Sequence, residues 1–125
     1  MTEFKGFTSS ETFTRLPNSF FSKLLTEMDD LGELKMVLYI FWRIEQMEAA
    51  QRVLSREDIA ADTARMSGWS AAELDAALEK ATRRGILLRV ENEAGGLFAL
   101  NTPRGRATVE ALEKGRLTVA AHPNN

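Results

Sequence analysis

Residues 70–101 read SAAELDAALEKATRRGILLRVENEAGGLFALN, and this stretch decides the fold. Ser70-Ala71-Ala72-Glu73 is a capping box, in which the serine and the glutamate three residues on satisfy each other's backbone donors at a helix start. Leu74, Ala77, Leu78 and Ala81 recur at helical spacing and predict one buried stripe. Gly85 follows Arg84 where a helix end needs a residue that accepts positive φ. The pattern then turns to a strand pair. Ile86-Leu87-Leu88-Arg89-Val90-Glu91 predicts one strand, Asn92-Glu93-Ala94-Gly95-Gly96 a turn, and Leu97-Phe98-Ala99-Leu100-Asn101 the return strand. Gly95-Gly96 therefore reads as a hairpin turn rather than a phosphate cradle.

Upstream, Ser55-Arg56-Glu57-Asp58 opens a second capped helix, with Ile59, Ala60 and Thr63 as its narrow apolar face and Arg65 to Trp69 as the turn that follows. Arg52-Val53-Leu54 is a short extended segment. Before it, a long helix is predicted from Leu31 to Glu48, with Leu34, Val37, Leu38, Phe41, Ile44 and Met47 on one face. Met36, Tyr39, Ile40 and Trp42 fall elsewhere, so that helix needs cover on more than one side. Further upstream, Leu16-Pro17-Asn18 leads into a short helix capped by Asn18 or Ser19, and Phe20, Phe21, Leu24, Leu25 and Met28 recur along it. Thr102-Pro103 caps a last helix. The order predicts a mainly α fold with a small β-hairpin: a winged helix-turn-helix over residues 16–114, carrying an N-terminal arm (1–15), an added N-terminal helix, a C-terminal helix and a flexible tail (115–125).

Composition narrows the function classes. Cysteine is absent, which excludes disulfides, zinc–thiolate sites and iron–sulfur clusters. The polar start Met1-Thr2-Glu3 lacks the apolar core of a signal peptide, and the longest apolar run, Met36 to Trp42, is too short to span a bilayer. A cytoplasmic protein without membrane contact is the expectation. Net charge is −2, but it is unevenly spread. Residues 1–79 hold eight basic and fourteen acidic side chains, whereas residues 80–125 hold eight basic and four acidic. No catalytic residue, cofactor site or metal site is expected: the sole histidine, His122, lies in the tail, and Asp29-Asp30 and Glu57-Asp58 read as helix-terminus acids.

From Phe13 to about Leu112 the chain resembles the N-terminal domain of the DnaD-like primosomal proteins of bacterial DNA replication. The likeness is carried by Leu16-Pro17-Asn18-Ser19-Phe20-Phe21, Leu31-Gly32-Glu33-Leu34-Lys35-Met36-Val37-Leu38-Tyr39, Ala81-Thr82-Arg83-Arg84-Gly85-Ile86-Leu87-Leu88 and Phe98-Ala99-Leu100-Asn101-Thr102. The resemblance implies a winged helix that self-associates and scaffolds a replication-initiation complex with other replication proteins. In that family a second, C-terminal domain contributes much of the DNA binding. The alternative is a dimeric transcriptional regulator of the MarR or PadR kind that reads an operator.

Two sets of residues follow as candidates. Lys80, Arg83, Arg84, Arg89, Arg104 and Arg106 are the basic side chains that would touch DNA phosphates, weakly and without sequence preference. Ordinary ion pairs with acids such as Glu91, Glu110 and Glu113 are the competing account of that basic end. The third long helix is a poor base reader: Ala72, Ala76, Glu79 and Arg83 lie opposite its core stripe, flanked by Glu73, Asp75 and Lys80, so its N-terminal half offers alanine and acid. Phe4, Phe7, Phe13, Met36, Tyr39, Ile40 and Trp42 are the candidate interface of a homodimer or tetramer, since aromatic and methionine enrichment marks interface cores. Trp69 is expected to staple the start of the third helix onto Leu74.

Overall fold

Pro17 turns the chain into its first helix, accepting a bond from the Phe20 amide at 3.0 Å. In the computed structural model, which describes residues 4–47, 52–66, 68–92 and 95–115, a π-helical turn (Phe20–Leu24) runs into a short α1 (Leu25–Glu27). Ser19 is itself helical and its side chain makes no cap, so the expected hydroxyl cap is replaced by the Pro17 carbonyl.

The later helices start on side-chain caps. Asp30 accepts from the Gly32 and Glu33 amides at 2.9 and 3.4 Å and opens α2 (Leu31–Gln46). Ser55 accepts from Asp58 at 3.0 Å and opens α3 (Arg56–Met66). Ser70 and Glu73 form the full capping box of α4 (Ala71–Arg83). Thr102 accepts from Gly105 at 3.0 Å and, with Pro103 in the first turn, opens α5 (Pro103–Glu113). The end of α4 is equally local. Gly85 sits at φ +90°, its amide bonds Thr82 and the Ile86 amide bonds Ala81, the paired bonds of a Schellman motif.

Three short strands form one antiparallel sheet in the order β1 (Leu54–Ser55), β3 (Leu97–Leu100), β2 (Leu87–Val90). The register sets Leu54 against Phe98 and Leu87 against Leu100. Phe98, Ala99 and Leu100 are all buried although a strand sends alternate side chains to opposite faces, so β3 is covered on both. Phe98 and Leu100 join the main core with Leu54 and Leu87. Ala99 lies on the other face, and α5 packs on both hairpin strands. The expected turn at residues 65–69 is described except for Ser67 and the Arg65 and Met66 side chains, and the hairpin turn except for residues 93 and 94. The expected tail with His122 lies outside the described residues, apart from Gly115.

α2 is the centre of the core, and here the expectation needs correction. Met36 and Ile40, placed off the core face by sequence, are fully buried, while Leu38, placed on it, is half-exposed. α4 covers α2 along one side with Leu74, Ala77, Leu78 and Ala81, as its stripe predicts. Phe20 covers another, its ring 6.2 Å from that of Phe41. Among the described residues no helix is long and apolar enough to cross a membrane.

Candidate functional site

The six basic candidates do not form one free patch. Arg84 lies just past α4, and its guanidinium grips Glu33 of α2 through two bonds, at 2.7 and 2.9 Å. Glu33 is 0% exposed, so this fork supplies its counter-charge in the core. The bond to Glu33 raises the Arg84 pKa, partly opposed by desolvation. Lys80 reaches across to Asp30, the α2 cap, at 3.0 Å. That bond is the main cause that holds the Asp30 carboxyl below its ordinary value. Lys80 and Arg84 therefore tie the end of α4 to α2.

The hairpin arginine is also engaged. Arg89 donates to the Gly95 carbonyl at 3.0 Å, lies 3.2 Å from Glu91 and sits over the Phe98 ring at 5.7 Å. At the tip, Asn92 accepts from Gly96 at 2.7 Å, and the Gly96 carbonyl accepts from the Arg56 amide at 3.1 Å. Gly95 and Gly96 have φ of +105° and +114°, and a Cβ on either would press on Arg56 or Arg89. Arg106 donates to the Asn101 side chain at 3.0 Å. Only Arg83 and Arg104, among these six, are exposed and have no hydrogen bond or ion pair to a described residue.

On α4, Ala72, Glu73, Asp75, Ala76 and Glu79 are exposed, as the sequence places them. Asp75 is held by a two-bond fork from Arg56 of α3 at 2.8 and 2.9 Å, which lowers its pKa. Trp69 is half-buried against the core, at the position of a staple before the Ser70 cap.

The candidate assembly residues divide. Met36, Tyr39 and Ile40 are buried within the chain and are corrected from interface to core. Tyr39 is used at both ends: its ring is buried, and its hydroxyl donates to Asp62 of α3 at 2.7 Å, a carboxylate that also pairs with Arg43. Burial first, then that bond, pushes the Tyr39 hydroxyl pKa up. Phe4, Phe7 and Phe13 are 69%, 83% and 88% exposed, and Trp42 is 44% exposed. Phe4 and Phe7 meet edge to face at 4.9 Å. Sequence reading missed that Leu31 and Leu38 share the outer stripe of α2 with Trp42, and that Phe21 and Leu25 are also exposed. The signal was present: positions 31, 38 and 42 lie on one side of a 3.6-residue helix.

Among the described residues no three His, Asp or Glu side chains converge as a metal site would require. Comparison with known proteins returned no matching family model, no matching curated sequence and no matching solved structure.

Proposed function

We propose that the chain is a non-catalytic winged-helix module, DnaD-like, which self-associates and scaffolds other proteins in the initiation of DNA replication, with weak, non-specific DNA contact. The winged-helix reading is supported by the order of elements: a short strand, two capped helices, and a hairpin whose inner strand pairs back onto that first strand. The observation that carries the assembly reading is the outer stripe of α2. Leu31, Leu38 and Trp42 stand exposed along one helix face in a chain that also exposes three arm phenylalanines. Large apolar side chains grouped on a surface mark association sites. The internal use of Lys80, Arg84, Arg89 and Arg106 supports DNA contact that is weak.

Light scattering and fluorescence anisotropy test both halves. A dimer or tetramer is expected, and Trp42→Asp should release a monomer with an unchanged circular dichroism spectrum. Random duplex and single-stranded DNA should bind weakly, with a slope of log affinity on log salt of about −2 per protomer, one phosphate for each unpaired arginine. A monomeric wild type would refute the assembly reading. Nanomolar binding to one operator would select the regulator reading instead.

A further inference from the structure

Away from the α4 end, Arg15, Arg52 and Arg104 line one cavity of about 270 Å³, between the last turns of α2, the segment before β1 and the start of α5. They come from distant parts of the chain, and no short motif joins them. Glu45 is the one acidic side chain among the lining residues. Arg15 and Arg52 approach it only to 3.6 and 3.7 Å, too far for hydrogen bonds. Arg104 has no acidic partner among the described residues. The Nε of Arg52 is shut off from solvent and has no hydrogen-bond acceptor among the described residues, a state that folded proteins seldom leave uncompensated. The first turn of α5 adds the positive end of its dipole, since Thr102, Arg104 and Gly105 all border the cavity.

The geometry points to a phosphate-binding site here, built by Arg15, Arg52, Arg104 and the start of α5, that takes a phosphate monoester dianion. Three guanidiniums against one carboxylate leave a surplus of two positive charges. A phosphate dianion balances that surplus and a single carboxylate does not. Guanidinium forks also match phosphate oxygens in geometry. The dianion has two sources, a small phosphorylated molecule or the 5′-phosphate of a nucleic acid end. The site does not depend on the assembly proposed above, because its lining includes none of Leu31, Leu38 and Trp42.

The test is a titration of the full chain with inorganic phosphate at constant ionic strength, followed through the arginine Nε–H resonances by NMR. Saturable binding of one phosphate per chain is expected, weakening as pH falls and the dianion is protonated. Arg104→Gln, at an exposed position, should weaken binding about tenfold. Glu45→Gln should tighten it, and the opposite signs guard against a mere loss of folding. A 5′-phosphorylated oligonucleotide is then compared with its 5′-hydroxyl form. Preference for the phosphorylated form assigns the site to nucleic acid ends, and equal affinity with phosphate still bound assigns it to a small molecule. Shifts that chloride reproduces, or an affinity untouched by Arg104→Gln, would overturn the site.

Discussion

Two groups of basic side chains sit at different corners of this protein, and they are used in opposite ways. At the end of α4, Lys80 meets Asp30, the α2 cap, and Arg84 meets Glu33 of α2, with Glu27 3.9 Å from Arg84 as well. Beside α5, Arg15 and Arg52 share one carboxylate that neither hydrogen-bonds, and Arg104, on the same cavity, has no acidic partner among the described residues. In the proposed winged-helix reading the first group lies at the recognition helix, yet its charge is spent inside the fold. The second lies apart from that helix and keeps its charge. Counting cations along the chain cannot separate the two, because availability depends on the acids that the fold brings near.

The sharpest way to break this comparison is to empty the first corner. Arg84→Met leaves the fully buried Glu33 carboxyl without its fork. Removing one partner of a buried pair costs about 3–5 kcal/mol, and urea denaturation should register a loss of that size. Adding Glu33→Met should restore most of it, since an apolar pair of similar volume avoids the desolvation that ions suffer. DNA affinity of the double variant should match the wild type. A marked fall would mean that Arg84 contacts DNA after all.

A smaller effect comes from the second corner. A Cβ on Gly105 would fall within the envelope of the Leu100 carbonyl oxygen, so α5 lies on β3 only because this residue has no side chain. Gly105→Ala gains helix propensity but forces that first turn off the sheet, a net loss of about 1–3 kcal/mol by thermal or urea unfolding. The same shift moves Arg104 from Arg52, so phosphate affinity should fall as well. The α2–α4 pairs should survive, visible as unchanged Nε–H resonances of Arg84.

These contrasts mark how far the sequence could be read. The caps at Ser55, Ser70 and Thr102, the glycine after α4 and the hairpin were legible because each is settled by bonds within a few residues. The inward faces of α2 were not. Apolar side chains run round most of that helix, so α4 and Phe20 decide that Met36 and Ile40 go inside while Leu38 stays out. The pairs Glu33–Arg84 and Asp30–Lys80 join positions 51 and 50 residues apart, and no local pattern announces them. The arginine cavity failed for the same reason. Arg52 had only an extended segment around it, and Arg15 lay at the end of the arm. Gly105 gave no signal in sequence because its reason is a carbonyl on a neighbouring strand.

The smallest expected effect concerns acid. Asp30 and Asp75 both have carboxyl pKa values below the ordinary 3.8, Asp30 chiefly through its bond to Lys80 and Asp75 chiefly through its bond to Arg56. Each group therefore binds a proton more readily when the chain is unfolded. The stability that each supplies is complete above 3.8 and drains away as pH falls toward the lower folded value. Asp30→Asn isolates the charge from the cap, because asparagine caps a helix about as well as aspartate. In urea midpoints measured from pH 7 down to about pH 2, this variant and Asp75→Asn should each start slightly below the wild type and converge on it in acid. Parallel curves would show that neither ion pair stabilises the joints to α4, and would leave the Glu33–Arg84 fork as the electrostatic tie between α2 and the end of α4.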